Sequence, residues 1–371
     1  HSPKTKKILM NSKRLYFIDI IRAFAILMML QGHFIDTLLN PIYRDKTFML
    51  YAIWSYFRGI TAPTFFTISG LIFTFLLLKA KVKGEEKLRI RKGIIRGLFL
   101  IFIGYLIRVP ILQWLSGSFD NYFLVIDVLQ CIGLSLILII GLYVLSAKKI
   151  RVFSILSLIV GLLIFVTDPL YRGATFTNLP EFLSNYISKS SGSVFTILPW
   201  FGYFAFGAFL ATLFHRNLNK NGFKIKMIIG FLITGIILIF YSSFILCEIA
   251  KLTHIKLFLD AASFNYLFTR LGNVFLYFAF FYGFEKQLKT PLILKIGQKT
   301  LSIYVIHFII IYGSFTGIGL KLIGKTLTPL QAIFGALTFI TCVCFISFYY
   351  ARTNAFLYNN LRNFYHKLKA N

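Results

Sequence analysis

Long apolar stretches alternate with short polar connections along most of the chain. Ten stretches approach the roughly 20 residues that a helix needs to cross a bilayer. They lie near residues 16–39, 57–78, 93–113, 122–146, 152–169, 194–214, 227–247, 265–284, 299–316 and 329–351. The pattern therefore predicts an all-α, polytopic membrane protein with about ten transmembrane helices.

The chain divides into one long membrane domain and two polar ends. We assign residues 16–351 to the ten-helix domain, 1–15 to an N-terminal tail and 352–371 to a basic C-terminal tail. The C-terminal tail mixes Phe, Leu and Tyr with Lys and Arg, which is typical of an amphipathic helix lying on a membrane surface.

The distribution of basic residues predicts an orientation for this domain. Of the 40 Lys and Arg residues, 28 lie in the connections on one side, eight lie on the other and four lie in or beside spans. Because positively charged connections stay in the cytoplasm, both termini are predicted to be cytoplasmic.

Composition excludes several classes of protein. The chain is 57% hydrophobic and only 14% charged, whereas soluble domains carry about a quarter charged residues. Its net charge of +28 lies in short connections between apolar stretches, so we predict the lipid bilayer, and no nucleic acid, as its partner. The four cysteines lie in apolar segments and are read as small hydrophobic residues.

The first predicted span carries four ionisable residues, each of which insertion scales penalise by about 2.5–3.5 kcal/mol or more. Arg22 and His33 are eleven positions apart, so they share a helix face at about 16 Å along the axis. Asp19 and Asp36 flank them on the same side. Such a stripe either lines a functional cavity or forms ion pairs that fix helix packing, and an unpaired histidine favours the cavity.

Other spans add polar side chains to the predicted interior. Asp127 and Gln130 are three positions apart and share one face of the fourth span. Further candidates for the cavity are Arg58, Arg270 and His307. Arginines outnumber carboxylates inside the spans, so an anionic guest would relieve the excess positive charge.

A polar interior with a positive inner half suits a phosphorylated donor drawn from the cytosol. The most basic connection, 79–96, stands at that mouth, and Arg and Lys bind phosphate by charge and hydrogen bonds. We expect His33 to abstract a proton near neutral pH, with Asp36 holding its tautomer. Acyl transfer from coenzyme A fits this layout, although a proton- or anion-coupled transporter would need the same residue types.

Several segments resemble a known family. The run from Arg14 to Ile26, followed by Gly32-His33, resembles the first helix of the transmembrane acyltransferases, with Arg22, ten residues and a histidine. Residues 58–70 are similar to their second helix. The elements Leu198-Pro199-Trp200-Phe201-Gly202-Tyr203, Gly207, Gly297-Gln298 and Leu301 to His307 resemble the bacterial relatives of heparan-alpha-glucosaminide N-acetyltransferase.

This resemblance covers roughly residues 14–310 and implies acetyl-CoA as donor, without a metal. The implied acceptor is an extracytoplasmic sugar amine or hydroxyl, most often a glucosaminide amine. The resemblance implies that His33 is the catalytic histidine and Arg22 the donor-side arginine. From their positions in the chain we add Asp36 as a catalytic residue and Asp19, Arg96 and Arg91 as donor-binding residues. The candidate acceptor or cavity residues are Arg58, Asp127, Gln130, Trp200, Arg270 and His307.

The same resemblance implies a multi-pass protein of the bacterial cytoplasmic membrane and leaves a homodimer open. His307 also keeps open a membership of the membrane-bound O-acyltransferases, which use a mid-helix histidine.

Overall fold

The computed structural model describes residues 15–176 and 178–370, without the side chains of 351–370; most of the predicted N-terminal tail lies outside these residues. The described chain is all-α, apart from one isolated bridge between Leu39 and Leu327. Its α-helices are α1 Tyr16–Leu38, α2 Met49–Arg58, α3 Thr61–Val82, α4 Glu86–Leu106, α5 Ile111–Leu115, α6 Val128–Leu145, α7 Ile150–Val166, α8 Asp168–Tyr171, α9 Glu181–Ile187, α10 Ile197–Asn217, α11 Phe223–Ile236, α12 Ser242–Thr253, α13 Lys256–Ser263, α14 Tyr266–Gly283, α15 Glu285–Leu288, α16 Pro291–Gln298, α17 Thr300–Tyr312 and α18 Pro329–Ala370. A π-helical turn, Ile237–Tyr241, joins α11 to α12, and 3-10 turns lie at Pro41–Tyr43, Tyr122–Leu124, Ser314–Thr316 and Leu320–Ile323.

Each of the ten predicted spans overlaps at least one of these helices. Among the described residues, six helices have the length and hydropathy of a membrane span, and the bent pair α16–α17 would make a seventh. The others fall short for local reasons: α4 begins with basic turns, α7 has 17 residues and α14 contains Arg270. The protein is therefore helical with several candidate spans, while the count of ten stays a prediction.

Helix α1 lies at the centre of the bundle, in contact with α3, α14, α16, α17 and α18. The ring of Phe17, near its start, meets Phe214, Phe278 and Tyr282 at centroid distances of 5.5, 6.4 and 4.4 Å. Because neighbours surround α1, its polar stripe must find partners inside the protein.

Helices α1 and α17 run parallel with matched register. Arg22 Nη2 donates to Thr300 Oγ1 at 2.8 Å, and His33 Nδ1 lies 2.8 Å from the Tyr312 hydroxyl. The helix pair α16–α17 bends by 71° at Lys299. Gly297, just before the bend, packs on the backbone of Asp19, which holds α16 against the start of α1.

Facing glycines set the closest helix crossings. A Cβ at Gly207 of α10 would lie 1.9 Å from the Thr67 carbonyl oxygen of α3, and one at Gly70 would lie 2.0 Å from that of Phe204. The same reciprocal arrangement joins α4 to α6 through Gly97 and Gly133, and α11 to α14 through Gly235 and Gly272. Small residues let membrane helices approach closely, where dispersion contacts replace the missing hydrophobic drive.

The helix Phe223–Thr253 and the last helix, α18, lie at the periphery. In the most apolar stretch of Phe223–Thr253 only 17% of the residues are buried, against 78% in α10. Its large apolar side chains therefore face outward, as lipid-facing residues do. At the chain end, α18 runs unbroken from Pro329 to Ala370, so no helix break marks the predicted domain boundary at 352.

Gly207→Ala should destabilise the protein, because the new methyl group must push α10 away from α3. Overpacking of this kind typically costs about 1–3 kcal/mol. The matched control is Gly141→Ala in α6, where a Cβ meets nothing within 4 Å and the helix gains up to about 1 kcal/mol of propensity. Thermal unfolding in one detergent should shift the two variants in opposite directions. Shifts of the same sign and size would mean that the glycine crossing does not limit helix approach.

Candidate active site

A cavity of about 310 Å³ lies between α1, α3, α4, α6 and α17; we term it the arginine cavity. Its polar side chains are Arg22, Ser69, Arg89, Arg96, Thr300 and Tyr304. Its apolar side chains are Ile26, Met29, Phe65, Ile72, Phe73, Leu76, Leu100, Val128, Leu129, Ile132, Leu136 and Leu301. It thus combines an apolar channel with three guanidinium groups.

A second cavity of about 240 Å³, the lysine cavity, adjoins the first and shares Leu76 and Arg89 with it. It is lined by Leu76, Lys79, Ala80, Lys83, Glu85, Leu88, Arg89 and Lys92, around the α3–α4 connection. A strongly basic mouth therefore leads into the apolar channel.

The structure places three of the four predicted donor residues at this cavity or beside it. Arg22 lines it, held by Thr300 and by an ion pair with Asp19 at 3.7 Å. Arg96 also lines it. Arg91 does not: its side chain is exposed, and Arg89 lines the cavity instead. Arg89 and Arg96 are seven positions apart, two helical turns on one face, whereas Arg91 points about 200° away from Arg89.

Beyond the apolar part of the channel lies a pair of histidines. The rings of His33 and His307 have centroids 5.2 Å apart. Met29 lines the cavity one helical turn before His33, and Tyr304 lines it with its ring 4.9 Å from that of His307. The histidine pair therefore lies next to the part of the arginine cavity that Met29 and Tyr304 line.

The partner of His33 differs from the predicted one. Its Nδ1 lies 2.8 Å from the Tyr312 hydroxyl, while the Asp36 carboxylate pairs with Arg58, whose Nε and Nη2 are each 3.1 Å from Oδ2. The side chain beside His33 is therefore Tyr312 of α17, in the place where Asp36 was expected. The physical reason is that the Arg58 guanidinium from α2 offers Asp36 an ion pair and a charge-assisted hydrogen bond from Nε.

Arg58 reaches Asp36 by crossing over Gly32. A Cβ at Gly32 would lie 2.2 Å from Arg58 Nε, so only glycine leaves room for this side chain beside His33. The Gly32-His33 pair singled out in the sequence thus has a steric reason. The Arg58 side chain thus passes over the residue before His33, where it can contact a bound polar group.

Asp127 and Gln130 have structural partners. Asp127 caps α6, accepting from Val128 N at 2.8 Å, and its backbone N–H donates to Gln130 Oε1 at 3.2 Å. Asp127 Oδ2 also pairs with Arg108 at 2.7 Å. Neither residue lines the arginine cavity, although Val128 does.

Arg270 and Trp200 lie away from the arginine cavity. The Arg270 guanidinium stacks 5.1 Å from the Tyr266 ring and comes close to Gly59, next to Arg58. Trp200 packs against Phe66 and Phe195, and its indole N–H is buried without a partner among the described residues.

These features define a polytopic helical membrane protein in which a basic cavity adjoins a pair of histidines, one buried and one partly buried. Residues 14–244 match the family model described as heparan-alpha-glucosaminide N-acetyltransferase, catalytic. Because this match covers more than half of its length, the chain belongs to that family, which implies a membrane acetyltransferase. No curated protein matches the chain. His307 and Tyr312 lie beyond the matched segment.

Asp127→Asn should keep the helix cap but leave the Arg108 guanidinium buried without its charge partner. Breaking a buried pair from one side costs about 3–5 kcal/mol, so the thermal midpoint should fall clearly. Adding Arg108→Met to this variant should recover most of the loss. If Asp127→Asn instead alters substrate KM at unchanged stability, Asp127 belongs to the substrate cavity after all.

Proposed function

We propose that this protein transfers an acetyl group from cytosolic acetyl-CoA to an amine or hydroxyl of an extracytoplasmic carbohydrate. The acceptor that we propose first is a glucosaminide amine. The observation that carries the proposal is the adjacency of the lysine cavity, the arginine cavity and the histidine pair. Family membership supports the acetyltransferase class.

The donor fits the two joined cavities by its chemistry. Coenzyme A has phosphates at one end and a long, weakly polar pantetheine arm at the other. Lys79, Lys83 and Lys92 would bind the phosphates at the mouth, with Arg89 at the junction. The arm would follow the apolar channel past Arg22, bringing the thioester towards Met29 and Tyr304.

His33 would act as the general base. If Nδ1–H donates to the Tyr312 hydroxyl, Nε2 keeps its lone pair and can take a proton from the acceptor. The acceptor nitrogen or oxygen attacks the thioester carbon, the C–S bond breaks, and the proton passes from His33 to the departing sulfur. Asp36 serves this reaction by fixing Arg58 rather than by touching His33.

The acceptor would approach from the opposite end of α1. Arg58 and Arg270 lie there with Tyr266, and a cationic and aromatic surface suits a sugar ring with polar or anionic substituents. Trp200 is assigned to the same acceptor side.

We further propose ten spans with both termini in the cytoplasm of a bacterial inner membrane. The parallel course of α1 and α17 supports this count, because parallel spans require an odd number of spans between them. In the ten-span order seven spans lie between α1 and α17, which is an odd number. If only the helices that satisfy length and hydropathy were spans, four would lie between α1 and the bent pair, which is an even number.

In sealed vesicles of one orientation, acetyl transfer should require acetyl-CoA on the cytoplasmic face and an amino sugar on the opposite face. His33→Ala should lower the turnover by about 10²–10⁴-fold, the usual loss of a general base. Radiolabelled acetyl-CoA and a panel of amino sugars give the measurement.

The outcomes separate the proposal from its rivals. Transfer with both substrates confined to the cytoplasmic face would refute the transmembrane reaction but leave acyl transfer standing. Sugar flux without acylation would identify the transporter. A folded His33→Ala protein with more than about a tenth of the wild-type turnover would remove His33 as base.

Arg89→Ala should raise the KM for acetyl-CoA, because it removes a guanidinium at the junction of the two cavities. Loss of one charge-assisted phosphate contact is worth about 1.5–3 kcal/mol, or roughly 10–150-fold. Arg91→Ala, two residues away on the exposed face of α4, is the matched control and should leave KM unchanged. Equal effects of both variants would indicate general charge attraction at the membrane surface instead of a bound phosphate.

A further inference from the structure

His307 is a buried polar residue without a matching structural role. Its side chain is fully buried in α17, and neither Nδ1 nor Nε2 has a hydrogen-bond partner among the described residues. The backbone of Ile303 and Tyr304, one turn earlier in α17, interacts with the ring, but neither carbonyl forms a hydrogen bond of normal geometry with it. A buried donor left unpaired costs about 1–3 kcal/mol, which a leucine at this position would avoid.

The position of the ring suggests what would pair with it. His307 faces His33 at a centroid distance of 5.2 Å and touches Tyr304, which lines the arginine cavity. A small group that extends from the arginine cavity past Tyr304 would therefore reach the edges of both the proposed base, His33, and His307. In an acyl thioester the group at that place is the carbonyl.

We propose that His307 donates a hydrogen bond to the thioester carbonyl oxygen of the donor and to the oxyanion that forms on it. This inference rests on the proposed function and adds a second catalytic residue to it. A neutral imidazole has one N–H, and that is enough to donate this hydrogen bond. His307 therefore acts in its neutral form and transfers no proton. His33 alone carries the proton from acceptor to sulfur.

The surroundings suit such a donor. Buried, fixed donors stabilise developing negative charge strongly because no water competes with them. The T-shaped contacts with Tyr304 and Phe308 hold the ring, and the aromatic neighbours keep the site apolar. Arg108 lies over the Phe308 ring at 5.3 Å. Its charge is paired with Asp127, so it adds little net positive charge beside His307.

The test uses two pairs of nearly isosteric substitutions in the full-length protein. His307→Asn and His307→Gln keep an N–H donor, whereas His307→Leu and His307→Met do not. We expect the apolar member of each pair to lose about 10²–10³-fold in kcat, with the KM for acetyl-CoA changed by less than about threefold. The polar members should retain at least ten times more kcat than their apolar counterparts.

Thermal unfolding of the same proteins provides an independent readout. Removal of an unpaired buried donor should leave stability unchanged or raise it, so the apolar variants should be inactive yet stable. Equal kcat within both pairs would overturn the proposal, as would recovery of radiolabelled acetyl on His307, which would make it a nucleophile. One foldable pair is enough for this comparison.

Failure here is distinguishable from failure of the proposed function. If the wild-type protein transfers no acetyl group to any acceptor while it is folded, the reaction itself is wrong. If the wild type is active and all four variants keep its kcat, only the role of His307 is wrong.

Discussion

The structure depends on the need to satisfy a polar helix face inside a membrane protein. Asp19, Arg22, His33 and Asp36 follow one side of α1, and the neighbours of α1 must supply their partners because lipid offers none. Thr300 and Tyr312 come from α17, and Arg58 comes from α2 across Gly32. The position of these helices around α1 is therefore coupled to the residues that form the candidate site, so packing and chemistry share one set of contacts.

The helical periodicity of the sequence was enough to identify the polar face of α1, but it did not predict which residues of other helices contact that face. The spacing of Arg22 and His33 placed them on one face, and that arrangement is confirmed by their partners on α17. The choice of Tyr312 over Asp36 as the neighbour of His33 depends on a helix 279 residues away in the chain. No short-range pattern carries that information.

Register decided the other differences. The sequence placed the basic segment 79–96 at the mouth of a cavity; in the structure Arg89 lines both cavities and Arg91 lines neither. The two-turn spacing from Arg89 to Arg96 was readable in the sequence, but only once the start of α4 was known. Asp127 and Gln130 were read as cavity residues, although a carboxylate three residues before an amide, directly ahead of an apolar run, also indicates a helix cap.

The parallel helices α1 and α17 act as a molecular ruler. Eleven residues separate Arg22 from His33 and twelve separate Thr300 from Tyr312, which are about 16 and 18 Å of helix rise. A single inserted residue in either helix would rotate all later side chains by about 100°, so the distance between the two contacts cannot increase in small steps. A guest that passes Arg22 and reacts at His33 must therefore span this fixed distance, so the length of its arm becomes a criterion for its selection.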